Sequence, residues 1–115
     1  MSEFRRSKRK KPAEIIEVFD TMTEQSVGRV SNLSETGMML MTGARLIDDA
    51  LFQFRFTLTD ANARTGAVEV GAHHLWSDEA SVAGQYWAGF RFIDVDPEDL
   101  ARIRSWIERP NGKYV

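Results

Sequence analysis

The run Phe52-Gln53-Phe54-Arg55-Phe56-Thr57-Leu58-Thr59 alternates apolar and polar residues without a break. A period of two sets Phe52, Phe54, Phe56 and Leu58 on one face of a strand and the polar partners on the other, so one face belongs to a core and the other to water. The same alternation returns at Tyr86 to Phe92, where Ala88, Phe90 and Phe92 oppose Trp87, Gly89 and Arg91, and the stretch Val68 to Trp76 has the same character with His73 and His74 inside it. Ile15 to Phe19 reads as a first strand. Val27 to Leu33 reads as a second, weakened or bulged at Gly28. Met38 to Met41 are apolar in succession, the pattern of a short strand buried on both faces. Connections at Asn32 to Gly37, Gly43 to Asp49, Asp60 to Gly66 and Ser77 to Gly84 separate these segments, giving six strands.

The period changes at the end of the chain. Asp96 is placed to cap a helix with Pro97 at its first position, Glu98 and Asp99 suit the positive end of the dipole, and Pro110 with Gly112 stops it. Leu100, Ile103 and Ile107, with Trp106 beside them, form a stripe that lies on a sheet or plugs a barrel end. The expected fold is all-β: a six-stranded antiparallel Greek-key barrel of the split-barrel kind, closed or nearly so to avoid free edges, followed by one helix. There is no alternation of strands and helices, which disfavours a dinucleotide-binding doubly wound sheet.

A chain of 115 residues has room for one such core. No stretch approaches the roughly 18 consecutive apolar residues of a membrane span, the start lacks the apolar region of a secretory signal, and there is no cysteine, so a cytoplasmic address is expected. The net charge of −2 conceals a division. Residues 1–12 carry Arg5, Arg6, Lys8, Arg9, Lys10 and Lys11 against Glu3, a formal +5, which leaves −7 for residues 13–115. A flexible basic arm over 1–12 is therefore joined to an acidic barrel over 13–115.

Two short patterns give this division a use. Arg5-Arg6-Ser7-Lys8-Arg9 holds an arginine pair four positions apart, and Asn32-Leu33-Ser34-Glu35-Thr36-Gly37 is an Asn-x-Ser-x-x-Gly turn. In order, and with Gly89-Phe90-Arg91-Phe92 to Asp99 as the last strand and helix start, they resemble the PilZ domain family over almost the whole chain. That family is defined by Arg-x-x-x-Arg before the barrel and Asp or Asn-x-Ser-x-x-Gly after its second strand. The resemblance implies binding of cyclic di-GMP, a bacterial second messenger with two guanines and two phosphates, and no further cofactor.

The implied site is Arg5, Arg9, Asn32, Ser34 and Gly37, with Arg6 and Trp76 as secondary members. A guanidinium is planar and permanently charged, so Arg5 and Arg9 can stack on guanine, fork onto its O6 and N7, or clamp phosphate. A pairing shifted by one, Arg6 with Lys10, loses the flat cation. Asn32 and Ser34 hold a turn, and Gly37 can take a positive φ. Asparagine at 32, where the family more often has an acid, keeps an acceptor, adds a donor and removes a charge. Trp76, ending the fifth strand, can stack on a base.

Other signals point away from chemistry. His73 and His74 are neighbours on a strand and face opposite ways, so they do not chelate together. Ser34 has no nucleophile elbow around it, and the chain is read as a non-enzyme. Met22, Met38, Met39 and Met41 are read as core filling, and Trp87 and Trp106 as core. The expected mechanism is an arm that closes on the ligand and changes the surface offered to a separate, downstream protein in bacterial motility, biofilm or virulence control. Two rivals are an adaptor of the same fold that binds only protein and a small nucleic-acid binder using the arm; the acidic body weakens the second.

Overall fold

The computed structural model describes residues 8–115. Arg5 and Arg6 lie outside the described residues. Among those described, the elements are β1 (Lys10–Lys11), β2 (Glu17–Asp20), β3 (Gln25–Leu33), β4 (Gly37–Thr42), β5 (Leu51–Thr59), β6 (Thr65–Glu79), β7 (Tyr86–Asp94), α1 (Pro97–Glu108) and β8 (Lys113–Tyr114). All pairings are antiparallel. The strands run β2-β5-β6-β7-β4-β3, and β2 also pairs with β3, which closes those six into a barrel. β1 and β8 extend the sheet beyond β3. β4 and β5 are consecutive but not neighbours, so the loop between them carries the chain from the β7 side to the β2 side. The six-stranded antiparallel barrel with a C-terminal helix expected from the sequence is the observed architecture, with two short strands added.

The alternation at Phe52 to Leu58 does what its period requires. Phe54, Phe56 and Leu58 are buried in the core with Val68, Val70 and Ala72 of β6 and Ala88 and Phe90 of β7. Phe54 stacks on Phe52 at 5.1 Å and meets Phe90 edge to face at 5.1 Å. Ile103, Trp106 and Ile107 of α1 join the same core, with α1 against β5 and β6.

Several expectations are corrected. Met38, Leu40 and Thr42 point inward while Met39 and Met41 are half-buried, so β4 alternates and is not buried on both faces. Met22 is exposed in a turn. Trp87 is half-buried on the outer face of β7; only Trp106 of that pair is core. The connection after β5 is shorter than read, because the Asp60 carboxylate accepts the N–H groups of Asn62 at 2.9 Å and Arg64 at 3.0 Å and β6 starts at Thr65. Asp96 stands at the helix N-cap without a side-chain capping bond, its carbonyl taking the Leu100 N–H.

The arm and barrel do not divide at Pro12. Lys10 pairs with Leu33 of β3 and with Tyr114 of β8, and its side chain is buried. Its ammonium donates to the carbonyls of Trp106 and Arg109, both at 2.7 Å, and to Asn111 Oδ1 at 2.8 Å, and lies 4.6 Å from the centre of the Trp106 ring. Three donors meet three acceptors. Glu14, whose Oε2 takes the Trp106 indole N–H at 3.2 Å, supplies the counter-charge. Burial pushes the Lys10 pKa below its usual value, against the pull of Glu14.

Lys10→Met is expected to destabilise the fold by about 2–3 kcal/mol, because it leaves buried carbonyls unpaired; urea unfolding measures it. In the natural chain the unfolded state holds the Lys10 proton more tightly than the folded state does. Stability from this group therefore rises with pH between the folded pKa and the ordinary lysine value, and the variant loses that rise.

Candidate functional site

Strand register builds the site. Asn32 of β3 pairs with Met39 of β4, Met39 with Gly89 of β7, and Gly89 with Trp76 of β6. Paired residues share a face, so these four run side by side across four strands. The next row, Leu33, Met38, Phe90 and His74, is buried, which puts the first row outside. Three strand spacings separate Asn32 from Trp76, roughly 14 Å.

Trp76 faces outward because β6 is bulged. By parity it should follow His74 into the core, yet His74 is buried and Trp76 is 42% exposed. Adjacent Phe90 and Gly89 on β7 are opposed by His74 and Trp76, two apart on β6, so Leu75 is an extra residue that turns the strand over. The indole then lies on bare backbone: a Cβ at Gly89 would sit 2.2 Å from Trp76 Nε1. Trp76 is a plate laid flat on the barrel wall.

The turn at the other end is held by Ser34. Its buried Oγ accepts the N–H groups of Thr36 and Gly37, each at 3.2 Å, and has the Gly37 carbonyl at 3.2 Å as acceptor, while Ser34 N–H donates to the same carbonyl at 2.9 Å. Ser34 positions the turn from inside it. Gly37 is not among the glycines of positive φ, contrary to expectation. Its requirement is space, since a Cβ would lie 2.3 Å from the Phe90 carbonyl oxygen. Glu35, the one carboxylate of the turn, is drawn to Arg104 of α1 at 3.4 Å.

The described end of the arm reaches this turn. Because Lys10 lies opposite Leu33, the antiparallel register sets Arg9 level with Ser34 and Lys11 level with Asn32. With the Lys10 side chain buried, Arg9 and Lys11 project to the outer face, and both are exposed. The structure therefore brings Arg9, Asn32, the Ser34–Gly37 turn and Trp76 to one face. Sequence reasoning missed Lys11, Met39 and Gly89, which only register reveals.

His74 is satisfied structurally, with Nδ1 2.7 Å from the Ile47 carbonyl and Nε2 2.7 Å from Ser77 Oγ; His73, on the opposite face, pairs with Asp49. No group of three metal-ligating side chains converges among the described residues. A cavity of ≈ 310 Å³ lined by Ile15, Glu17, Ser26, Gly28, Arg29 and Met41, among others, contains none of the expected site residues. The candidate site is an open face.

The family model for the PilZ domain matches residues 3–109. The chain belongs to the PilZ domain family. Both PilZ patterns fall within the matched span. Solved structures agree on the fold. The Bacillus subtilis inhibitor of motility, MotI/DgrA, superposes with a TM-score of 0.73 at 15% identity, over 91% of this chain and 50% of that one. The PilZ domain of Escherichia coli YcgR with c-di-GMP gives 0.68 at 19% identity, over 90% and 88%. YcgR in complex with c-di-GMP gives 0.64 at 20%, over 87% and 42%. The chain thus spans half or less of MotI and of the longer YcgR chain. Comparison with curated proteins returned no match. Among the described residues no helix is long and apolar enough to cross a membrane.

Gly89→Ala is expected to push the Trp76 indole off the wall, since the clash falls on the end of a side chain. Tryptophan emission should shift red relative to the natural chain, and the shift should vanish in Trp76→Phe. Stability should fall by about 1–3 kcal/mol, as for small-to-large changes at buried, packed positions.

Proposed function

We propose that this PilZ domain is a receptor for cyclic di-GMP that passes ligand occupancy to a separate protein, and that it carries out no catalysis. The observation that carries the reading is the convergence of Arg9, Asn32 and Trp76 on one face of the barrel around the Ser34–Gly37 turn. Arg9, joined by Arg5 and secondarily by Arg6, grips phosphate or a guanine edge. Asn32 offers an amide donor and a carbonyl acceptor to the base, and the Ser34–Gly37 turn holds it in place. Trp76 supplies a stacking surface worth about 1–3 kcal/mol per base. The solved YcgR structures with c-di-GMP support the ligand, and the likeness to an inhibitor of motility supports a signalling role in that kind of process. Binding closes the arm over the face, and the changed surface meets the downstream partner in the cytoplasm.

Isothermal titration of the natural chain with cyclic di-GMP tests this. Heat of binding is expected, with Arg9→Ala weakened by roughly tenfold to a hundredfold, the worth of one or two charge-assisted hydrogen bonds. Absence of heat from the natural chain would falsify the receptor reading. Binding displaced equally by any oligonucleotide, and falling steeply with salt, would favour the nucleic-acid reading instead.

A further inference from the structure

The geometry points to Arg91 as a further arginine of the site, one that selects guanine over adenine by reading the Hoogsteen edge of the base stacked on Trp76. This deepens the receptor reading and rests on it. Arg91 pairs with Gly37 of the turn on one side and with His73 on the other, so its side chain leaves the same outer face as Asn32, Met39 and Trp76. It stands two residues from Gly89 along β7, about 6.7 Å, within the length of an arginine side chain from the indole that covers Gly89. Its neighbour on the turn side, Gly37, has no side chain to stand beside that of Arg91.

Three arginines elsewhere on the barrel and helix are held by carboxylates. Arg55 holds Glu24 at 2.8 Å, Arg102 holds Asp60 at 3.6 Å and Arg104 holds Glu35 at 3.4 Å. Arg91 makes no ion pair among the described residues, although acids are near: Asp49 is taken by His73 and Glu35 by Arg104. A guanidinium exposed at the edge of an aromatic plate, with Glu35 and Asp49 held by other side chains, is a donor fork facing whatever base stacks there. Guanine presents O6 and N7, two acceptors matched to that fork, whereas adenine presents N7 beside an N6 amino group, a donor against a donor. Arg91 thereby adds base selection to a face whose arm cations grip charge shared by every cyclic dinucleotide.

The test is titration of the whole chain with cyclic di-GMP and with cyclic di-AMP, for the natural protein, Arg91→Ala, Arg91→Lys and, as a charge-matched control at the far β5–β6 turn, Arg64→Ala. The natural chain and Arg64→Ala are expected to prefer the guanine ligand. Arg91→Ala should reduce that preference by roughly tenfold to a hundredfold, the discrimination of one bidentate base contact, with an unchanged melting temperature. Arg91→Lys should keep most of the affinity for both ligands yet lose the preference, because an ammonium retains charge without the fork. An unaltered preference in Arg91→Ala overturns the proposal while leaving the receptor reading intact, and so does equal weakening toward both ligands. If the natural chain binds neither dinucleotide, the receptor reading fails, and this proposal with it.

Discussion

A single buried ammonium joins the two ends of this chain. The last turn of α1 contains no basic residue of its own, and its carbonyls stand at the negative end of the helix dipole, with Trp106 taking the Arg109 N–H at 3.1 Å and Ile107 the Tyr114 hydroxyl at 2.7 Å. Lys10, 96 positions away from Trp106 in sequence, supplies that charge and three hydrogen bonds at once. Once its side chain is committed inward, β1 is fixed between β3 and β8, and alternation leaves Arg9 and Lys11 no choice but the outer face. A slip of one residue would bury Arg9 and expose Lys10. The contact that completes the helix terminus therefore also aims Arg9, the arginine proposed to grip the ligand.

The same dependence of aim on register governs the rest of the face. Trp76 reaches the surface through one extra residue at Leu75, and it stays flat because its cross-strand partner is glycine. The turn opposite is tied in three directions: within itself through Ser34 Oγ, to β7 through the Phe92 N–H donating to the Thr36 carbonyl at 2.9 Å, and to α1 through Glu35 and Arg104. Polar groups of Ser34 that a reader of the motif would assign to the ligand are already engaged in the turn. Its role is to hold Asn32 and the backbone in position, and Gly37 serves the same end by letting β4 approach Phe90 closely.

Strand identity was legible because burial on one face writes a period of two into the sequence, as at Phe52 to Leu58, and helix α1 was legible from Pro97 and the Ile103-Trp106-Ile107 stripe. What the sequence hides is parity after a bulge. Nothing local distinguishes Trp76, turned outward, from His74, turned inward, and Met39 looks as apolar as Met38 although only Met38 is core. Lys10 was invisible for a related reason: in a row of cations each reads as solvated, and its acceptors lie about a hundred residues downstream. The motif residues Asn32 and Arg9 were found by resemblance, and register then places them together; the Lys11, Met39, Gly89 and Arg91 positions around them follow only from cross-strand pairing.

Net charge is a poor guide to which ions such a surface attracts. The body after residue 12 carries a formal −7, which at face value repels a dianion. At physiological ionic strength charges farther than about 8 Å are largely screened, so the field over the face is set by the side chains that border it. Arg9 and Lys11 stand on the β1 side and Arg91 on β7; Glu35 is engaged by Arg104 and Asp49 by His73, which leaves Asp78, two residues beyond Trp76 on β6, as an exposed acid at the margin. The face is cationic on an acidic protein. Residues 10 to 12 already hold their places against the barrel, so a ligand need not offset the backbone entropy of ordering them, about 1–2 kcal/mol for each. Local cation placement and a pre-anchored arm root act in the same direction, toward capture of an anion by a few well-aimed side chains.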